Sequence, residues 1–139
     1  MRKPAPISKE PSQSRIPFSF VFDYLHPLEP EIKRMFVTFA LYVEDKIVLI
    51  LRQKKEHTAD NGVWIATEIE HHASLKKQLP SIRSIRLLGK GPTNWQIIPE
   101  SSDDFEESVI RACELVVKGD PRIGRIPKPK KKRSKSSRK

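Results

Sequence analysis

Three observations predict an α+β fold with a small, mostly antiparallel sheet and flanking helices. Apolar stretches of strand composition recur between residues 35 and 99. The first two are joined by only two or three polar residues, as in an antiparallel hairpin. Helical periodicity appears near the start and again before Gly119, with a third, weaker helix between, so helices and strands do not alternate as strict βαβ units.

The elements follow in chain order. Phe18, Val21, Phe22 and Leu25 stand at i, i+3, i+4 and i+7 after Pro17, one apolar stripe on a short helix that Pro27 and Pro30 break. Met35 to Val43 reads as a strand, Glu44-Asp45 as its turn and Lys46 to Leu51 as the returning strand. The run Ile47 to Leu51 lacks alternation, which marks a central strand covered on both faces. Arg52 to Asn61 reads as a loop, and Gly62 to Ala66 as a short strand. Thr67-Glu-Ile-Glu matches a capping box for a helix reaching about Leu79, with Ile69, His72, Ala73, Lys76 and Leu79 on one side. Residues 81–88 fit a turn of helix or a strand, because Ile82, Ile85 and Leu88 repeat every three residues. Thr93 to Pro99 reads as a strand. The last helix has Ser101 or Ser102 as its cap, acids in its first turn, a stripe of Phe105, Val109, Ala112, Cys113 and Val116, and Gly119 as its stop.

The chain has 139 residues, 37% hydrophobic and 32% charged, which fits one modest domain with polar extensions and excludes a large two-domain enzyme. One cysteine and no Cys or His pair at zinc spacing leave neither an internal disulfide nor a structural metal, so the core stands on apolar packing. No apolar run reaches about eighteen residues and the start lacks a signal-peptide core, so a cytoplasmic setting without membrane insertion is expected. The net charge of +10 is unevenly placed. Ten positive charges and no acid lie between Arg122 and Lys139, whereas residues 17–121 hold 13 basic against 16 acidic. Residues 1–16, rich in Pro and Ser, and the basic segment 122–139 are expected to be disordered around a domain at 17–121, since neither has the apolar content to offset ordering.

Lys33-Arg-Met-Phe-Val-Thr-Phe-Ala-Leu-Tyr-Val-Glu-Asp-Lys-Ile-Val-Leu-Ile resembles the start of the TfoX N-terminal domain. Asn94-Trp-Gln-Ile-Ile-Pro, with Asp103-Asp-Phe-Glu-Glu-Ser-Val-Ile-Arg-Ala-Cys-Glu-Leu-Val, is similar to the tryptophan strand and closing helix of the MmcQ and YjbR proteins. The resemblance covers roughly Phe18 to Lys118 and implies a compact α+β domain of DNA-binding-like description, with no established reaction. Val37 stands where that family commonly has glycine, so a close backbone approach there is not expected. No active-site residue carries over, because the matched positions are apolar.

Read for chemistry, most polar clusters have structural explanations. His71 and His72 are adjacent, so on a helix they point about 100° apart, and no i+4 ligand completes a metal shell. His26 and His57 are isolated, and no serine near a histidine has a nucleophile-elbow context. Cys113 sits on an apolar stripe, as a buried inert thiol would. Asp103, Asp104, Glu106 and Glu107 suit a helix N-terminus. Gly89-Lys-Gly-Pro-Thr lacks the spacing and the Lys-Ser/Thr ending of a phosphate loop. Trp64 and Trp95 either pack in the core or stack on bases.

Two basic features remain. Lys76, Lys77, Arg83, Arg86 and Lys90 occur without an intervening acid, either as a phosphate-binding face or as a solvated edge. Lys128, Lys130, Lys131, Lys132, Arg133, Lys135, Arg138 and Lys139 form the stronger lead, a flexible arm that would bind nucleic-acid backbone by counterion release. The expected function is therefore non-enzymatic nucleic-acid binding with weak sequence preference and no cofactor. The alternative is a protein-interaction or regulatory adaptor, with an unknown protein partner and a tail that localises or solubilises it.

Overall fold

The computed structural model describes residues 16–35, 38–87 and 94–126. Six strands form one antiparallel sheet: β1 (Glu31–Met35), β2 (Thr38–Val43), β3 (Lys46–Arg52), β4 (Gly62–Ala66), β5 (Arg83–Ser84) and β6 (Trp95–Pro99), in the spatial order β1-β2-β3-β4-β6-β5. Among the described residues three α-helices accompany them: α1 (Val21–Leu25), α2 (His72–Gln78) and α3 (Phe105–Val117). The α+β class with an antiparallel sheet and flanking helices is therefore observed.

Where a single strand is expected over Met35 to Val43, two strands are found, the first starting earlier at Glu31. Glu31–Met35 pairs with Thr38–Val43, Glu31 opposite Tyr42 and Arg34 opposite Phe39, so the polar lead-in is itself an edge strand. Its composition hid it, because Lys33 and Arg34 are the charges that keep an exposed edge from pairing with another chain. The hairpin at Glu44-Asp45 is present, with Val43 opposite Lys46 and Glu44 in the left-handed region at φ 58°. The expected burial of β3 on both faces is also found, and it has a second cause. The register slips where Leu41 faces Leu49 but Tyr42 faces Ile47, leaving Val48 as a bulge residue. Val48 and Leu49 consequently both join the main core while Ile47 and Ile50 face the other way.

All three helices pack on one side of the sheet. Val21 and Leu25 of α1, Leu75 of α2, and Val109, Ala112, Cys113, Leu115 and Val116 of α3 meet Leu41, Leu49, Leu51, Val63, Ile65 and Ile98 from the strands. Phe18 and Phe20 close this layer over Phe105, at ring-centroid distances of 5.1 and 6.5 Å. Gly119, at φ 76°, ends α3 as expected: its N–H reaches the Val116 carbonyl and the Asp120 N–H reaches that of Leu115, two of the carbonyls a helix end leaves unpaired. The serine cap takes another form. Ser102 donates to the Asp104 carboxylate at 3.0 Å, and Ser81 donates to the same oxygen at 2.6 Å, which ties the start of α3 to the end of the α2 segment.

The Thr67 capping box does not form. The Thr67 hydroxyl lies 3.5 Å from the Glu68 carbonyl, and Ile69 to His71 make a 3-10 turn before α2 begins. The Ile69 N–H is met instead by the side chain of Asn94, at 3.0 Å. A tertiary partner thus replaced the local one, and the buried face of α2 is Leu75 and Leu79, with Ile69 left 54% exposed. The ambiguous 81–88 stretch contains the two-residue edge strand β5, flanked by the buried Ile82 and Ile85; Leu88 lies outside the described residues.

The described fold includes Ile16 and residues 122–126. Ile16 belongs to the main core, and so does Ile123, at 3% exposure. Gly124 donates to the Ala66 carbonyl at 2.7 Å, and Arg125 forms a two-hydrogen-bond antiparallel bridge with Ile47. Charge density in the sequence masked one apolar anchor and one backbone pairing in residues 122–126.

Candidate nucleic-acid interface

The basic stretch that begins at Lys76 is organised around a buried carboxylate. Asp60, 1% exposed, accepts the N–H groups of Arg86 at 2.9 Å and Leu87 at 2.7 Å through one oxygen, while the other lies 3.4 Å from the Arg83 guanidinium. Arg83 also donates to the carbonyls of Ala59 and Ser84. Lys76 donates to the Ile82 carbonyl at 2.9 Å. Two of the five cations therefore hold the local backbone. Lys77 and the Arg86 side chain are exposed, and Lys90 lies outside the described residues.

The root of the C-terminal basic segment divides in the same manner. Arg122 clasps Asp120 with Nη2 at 2.8 Å and Nε at 2.9 Å, and reaches Gln78 at 2.7 Å. The Arg122 hydrogen bonds hold the Asp120 carboxyl well below its ordinary range, at about 2. Arg125 pairs with Glu68 at 3.0 Å. These two cations are absorbed by the fold, and the eight from Lys128 to Lys139 lie outside the described residues.

The second face of the sheet carries the aromatic residues. Ala40, Ile47, Ile50 and Ala66 form a small buried cluster, against which the partly buried Tyr42, Trp64 and Trp95 pack. Among the described residues no α-helix contributes to this cluster. The two indole rings meet at 5.8 Å with planes 59° apart, and the Lys33 ammonium lies 4.7 Å above the Tyr42 ring. The Trp64 N–H is held by the Asp60 carbonyl at 2.9 Å, so the same residue that folds the 83–87 segment also fixes this indole. The tryptophan rings contact an apolar cluster and keep some surface.

Other singled-out residues take structural positions. Burial, assisted by the charge of Glu114, pushes the Cys113 thiol up to about 12, so it is not a nucleophile at neutral pH. His72 is lowered by burial, opposed by its contact with the Asn94 carbonyl, and His71 lies 3.6 Å from Glu70. Asp104 is lowered, chiefly by the Ser81 hydroxyl. Among the described residues no three His, Cys, Asp or Glu side chains gather as a metal site. Gly89 to Thr93 lies outside the described residues.

Sequence reasoning passed over Arg52, Asp60 and Asn61. Arg52, 2% exposed, donates to the carbonyls of Glu56 and His57 at 2.9 Å and to the Asn61 side chain at 2.8 Å. Asn61 in turn pairs with both the N–H and the carbonyl of Lys54. Together they brace the exposed loop after β3. Their signal in sequence was only a polar loop flanked by strands, because the Asp60 partners lie more than twenty residues away.

Fold and site thus define an α+β protein with one helix-covered sheet face and one aromatic face, whose sequence ends in a basic segment. No family model, no curated protein and no solved structure matches the chain.

Proposed function

We propose that this chain is a non-enzymatic nucleic-acid-binding protein whose α+β domain, TfoX- or YjbR-like in its sequence pattern, carries a basic arm that engages phosphate backbone. The observation behind this reading is the division of the C-terminal cations. Arg122 and Arg125 are neutralised by Asp120 and Glu68, whereas the sequence from Lys128 to Lys139 adds eight cations and no acid. Such an arm binds by releasing counterions, with affinity that falls steeply in salt and little preference for sequence. Lys77 and Arg86 extend the basic surface on the domain.

The test is anisotropy of a labelled random duplex against the full chain across a salt series. If all eight cations engage, the slope of log affinity against log salt approaches about −7. Absence of binding at about 0.05 M salt would sink the proposal.

A second reading, a protein-interaction adaptor, draws on a cleft of about 230 Å³ between the β2–β3 hairpin and the end of α3. Leu28, Val43, Val48, Val116 and Ile123 line it, and Glu44, Lys46 and Asp120 contribute to its lining. Its size suits one or two apolar side chains of a partner better than a drug-sized ligand.

A further inference from the structure

We propose that the cleft between the β2–β3 hairpin and the end of α3 binds a free hydrophobic amino acid of about the size of leucine, side chain inward, with its ammonium toward Glu44 and its carboxylate toward Lys46. The proposal is independent of the nucleic-acid reading, and a peptide in the same cleft is the competing occupant.

The cleft is built wholly from described residues. Val43 and Val48 of the hairpin, Leu28, Val116 and Val117 of α3, and Ile123 give it apolar walls. An apolar cavity of about 150 Å³ accepts benzene, so one of about 230 Å³ has room for an isobutyl side chain and the α-carbon that carries it. Two opposite charges stand at its margin. Glu44 and Lys46 both contribute to the lining, both are exposed, and among the described residues neither has an ion pair. The remaining lining charge, Asp120, is already taken by Arg122 at 2.8 Å.

Backbone geometry positions both charges. Glu44 sits in the left-handed region at φ 58°, a turn position where glycine or asparagine would be relaxed. A carboxylate placed there against backbone preference is an outlier that a binding role explains. Lys46 is directed by Gly124: a Cβ at that glycine would stand 3.0 Å from Lys46 Cδ and 3.5 Å from Val48 Cγ1, so the lysine stem lies against Gly124 beside Val48, at the edge of the cleft. The helix adds to the anionic side, since the carbonyls at the end of α3 carry partial negative charge. Val117 would pair with the N–H at position 121, but Pro121 has none, and Arg122 gives its own to Asp120 at 2.9 Å. Glu44 and the end of α3 thus both favour an ammonium, while Lys46 favours a carboxylate. An apolar body joined to one ammonium and one carboxylate is the form of a hydrophobic α-amino acid at neutral pH. A fatty acid would leave Glu44 unmatched, and an alkylamine would leave Lys46 unmatched.

The full chain, isotope-labelled at its methyl groups, is titrated by NMR at neutral pH with L-leucine, with leucinamide, which lacks the carboxylate, and with isocaproate, which lacks the ammonium. Expected are saturable shifts of the Val43, Val48, Val116 and Ile123 methyls with leucine, and affinities about fivefold weaker for each analogue. Glu44→Gln should weaken leucine and leucinamide about fivefold and leave isocaproate unchanged. Lys46→Gln should weaken leucine and isocaproate to the same degree and leave leucinamide unchanged. Both substitutions fall on exposed side chains at the hairpin tip, away from the core. Leucine without saturable shifts at these methyls would overturn the proposal. Equal affinity for all three compounds would also overturn it, since that describes an apolar cavity only. Leucinamide bound as tightly as leucine would give the site to the first residue of a peptide, which overturns the free amino acid and favours the adaptor reading.

Discussion

The two faces of the sheet are built by the same strands and differ in how completely they are buried. On the helix face Leu41, Leu49, Leu51, Val63 and Ile65 are all fully buried beneath three helices, so every exposed methyl has been removed from water. On the other face a smaller aliphatic floor carries three aromatic rings that are only partly covered, with a cation over one of them. Burial energy is concentrated on the first, and polar or aromatic surface is kept on the second. Substitutions should accordingly separate stability from binding.

The largest effect is expected on the helix face. Leu49→Ala or Ile65→Ala should cost about 4 kcal/mol in denaturant unfolding, through lost transfer energy and a residual cavity. The salt slope of nucleic-acid binding should not change. A similar loss of binding slope in these variants would break the separation of the faces. Asp60→Ala comes next, at about 3 kcal/mol, because Arg83 and two backbone N–H groups lose a buried partner. It should also alter tryptophan emission, since the Trp64 indole is held by the carbonyl of this residue.

A smaller effect distinguishes two ends for the domain. Stopping the chain at Pro121 removes the buried Ile123 and the Arg125–Ile47 bridge, and should lower stability by about 2 kcal/mol relative to a chain stopped at Ile126. Equal thermal midpoints for the two would show that residues 122–126 add nothing to the fold. The smallest effect concerns pH. Asp120 has its folded carboxyl depressed to about 2, against an ordinary value near 3.9. Its contribution is present above that ordinary value and is lost as pH falls toward 2. Asp120→Asn should therefore cost under about 1 kcal/mol at neutral pH, with the difference from the parent vanishing near pH 2 in acid denaturation curves.

What could be read from sequence followed from local chemistry. The stripe of α3, the Gly119 stop, the Glu44-Asp45 hairpin and the buried β3 all depend on residues within a few positions of each other. The failures were cases in which a distant partner decided the outcome. Asn94 took the Ile69 N–H that a capping box would have left to Thr67, and Tyr42 to Glu31 pairing made a strand of a charged stretch. Of the candidate site, Trp64, Trp95 and the basic segments were visible by composition. That the tryptophans share a face, that Lys76 and Arg83 serve the backbone, and that Arg125 pairs with Ile47 depend on register.

The central claim is that the basic segment from Lys128 to Lys139 binds nucleic-acid backbone. Its most direct test compares the full chain with a chain ending at Ile126, by anisotropy on a random duplex from about 0.05 to 0.2 M salt. The account predicts that the shorter chain keeps its thermal midpoint, loses at least about a hundredfold in affinity and shows a salt slope no steeper than about −2, the share of Lys77 and Arg86. Undiminished, salt-dependent binding by the shorter chain would contradict it and place the phosphate contacts on the domain itself.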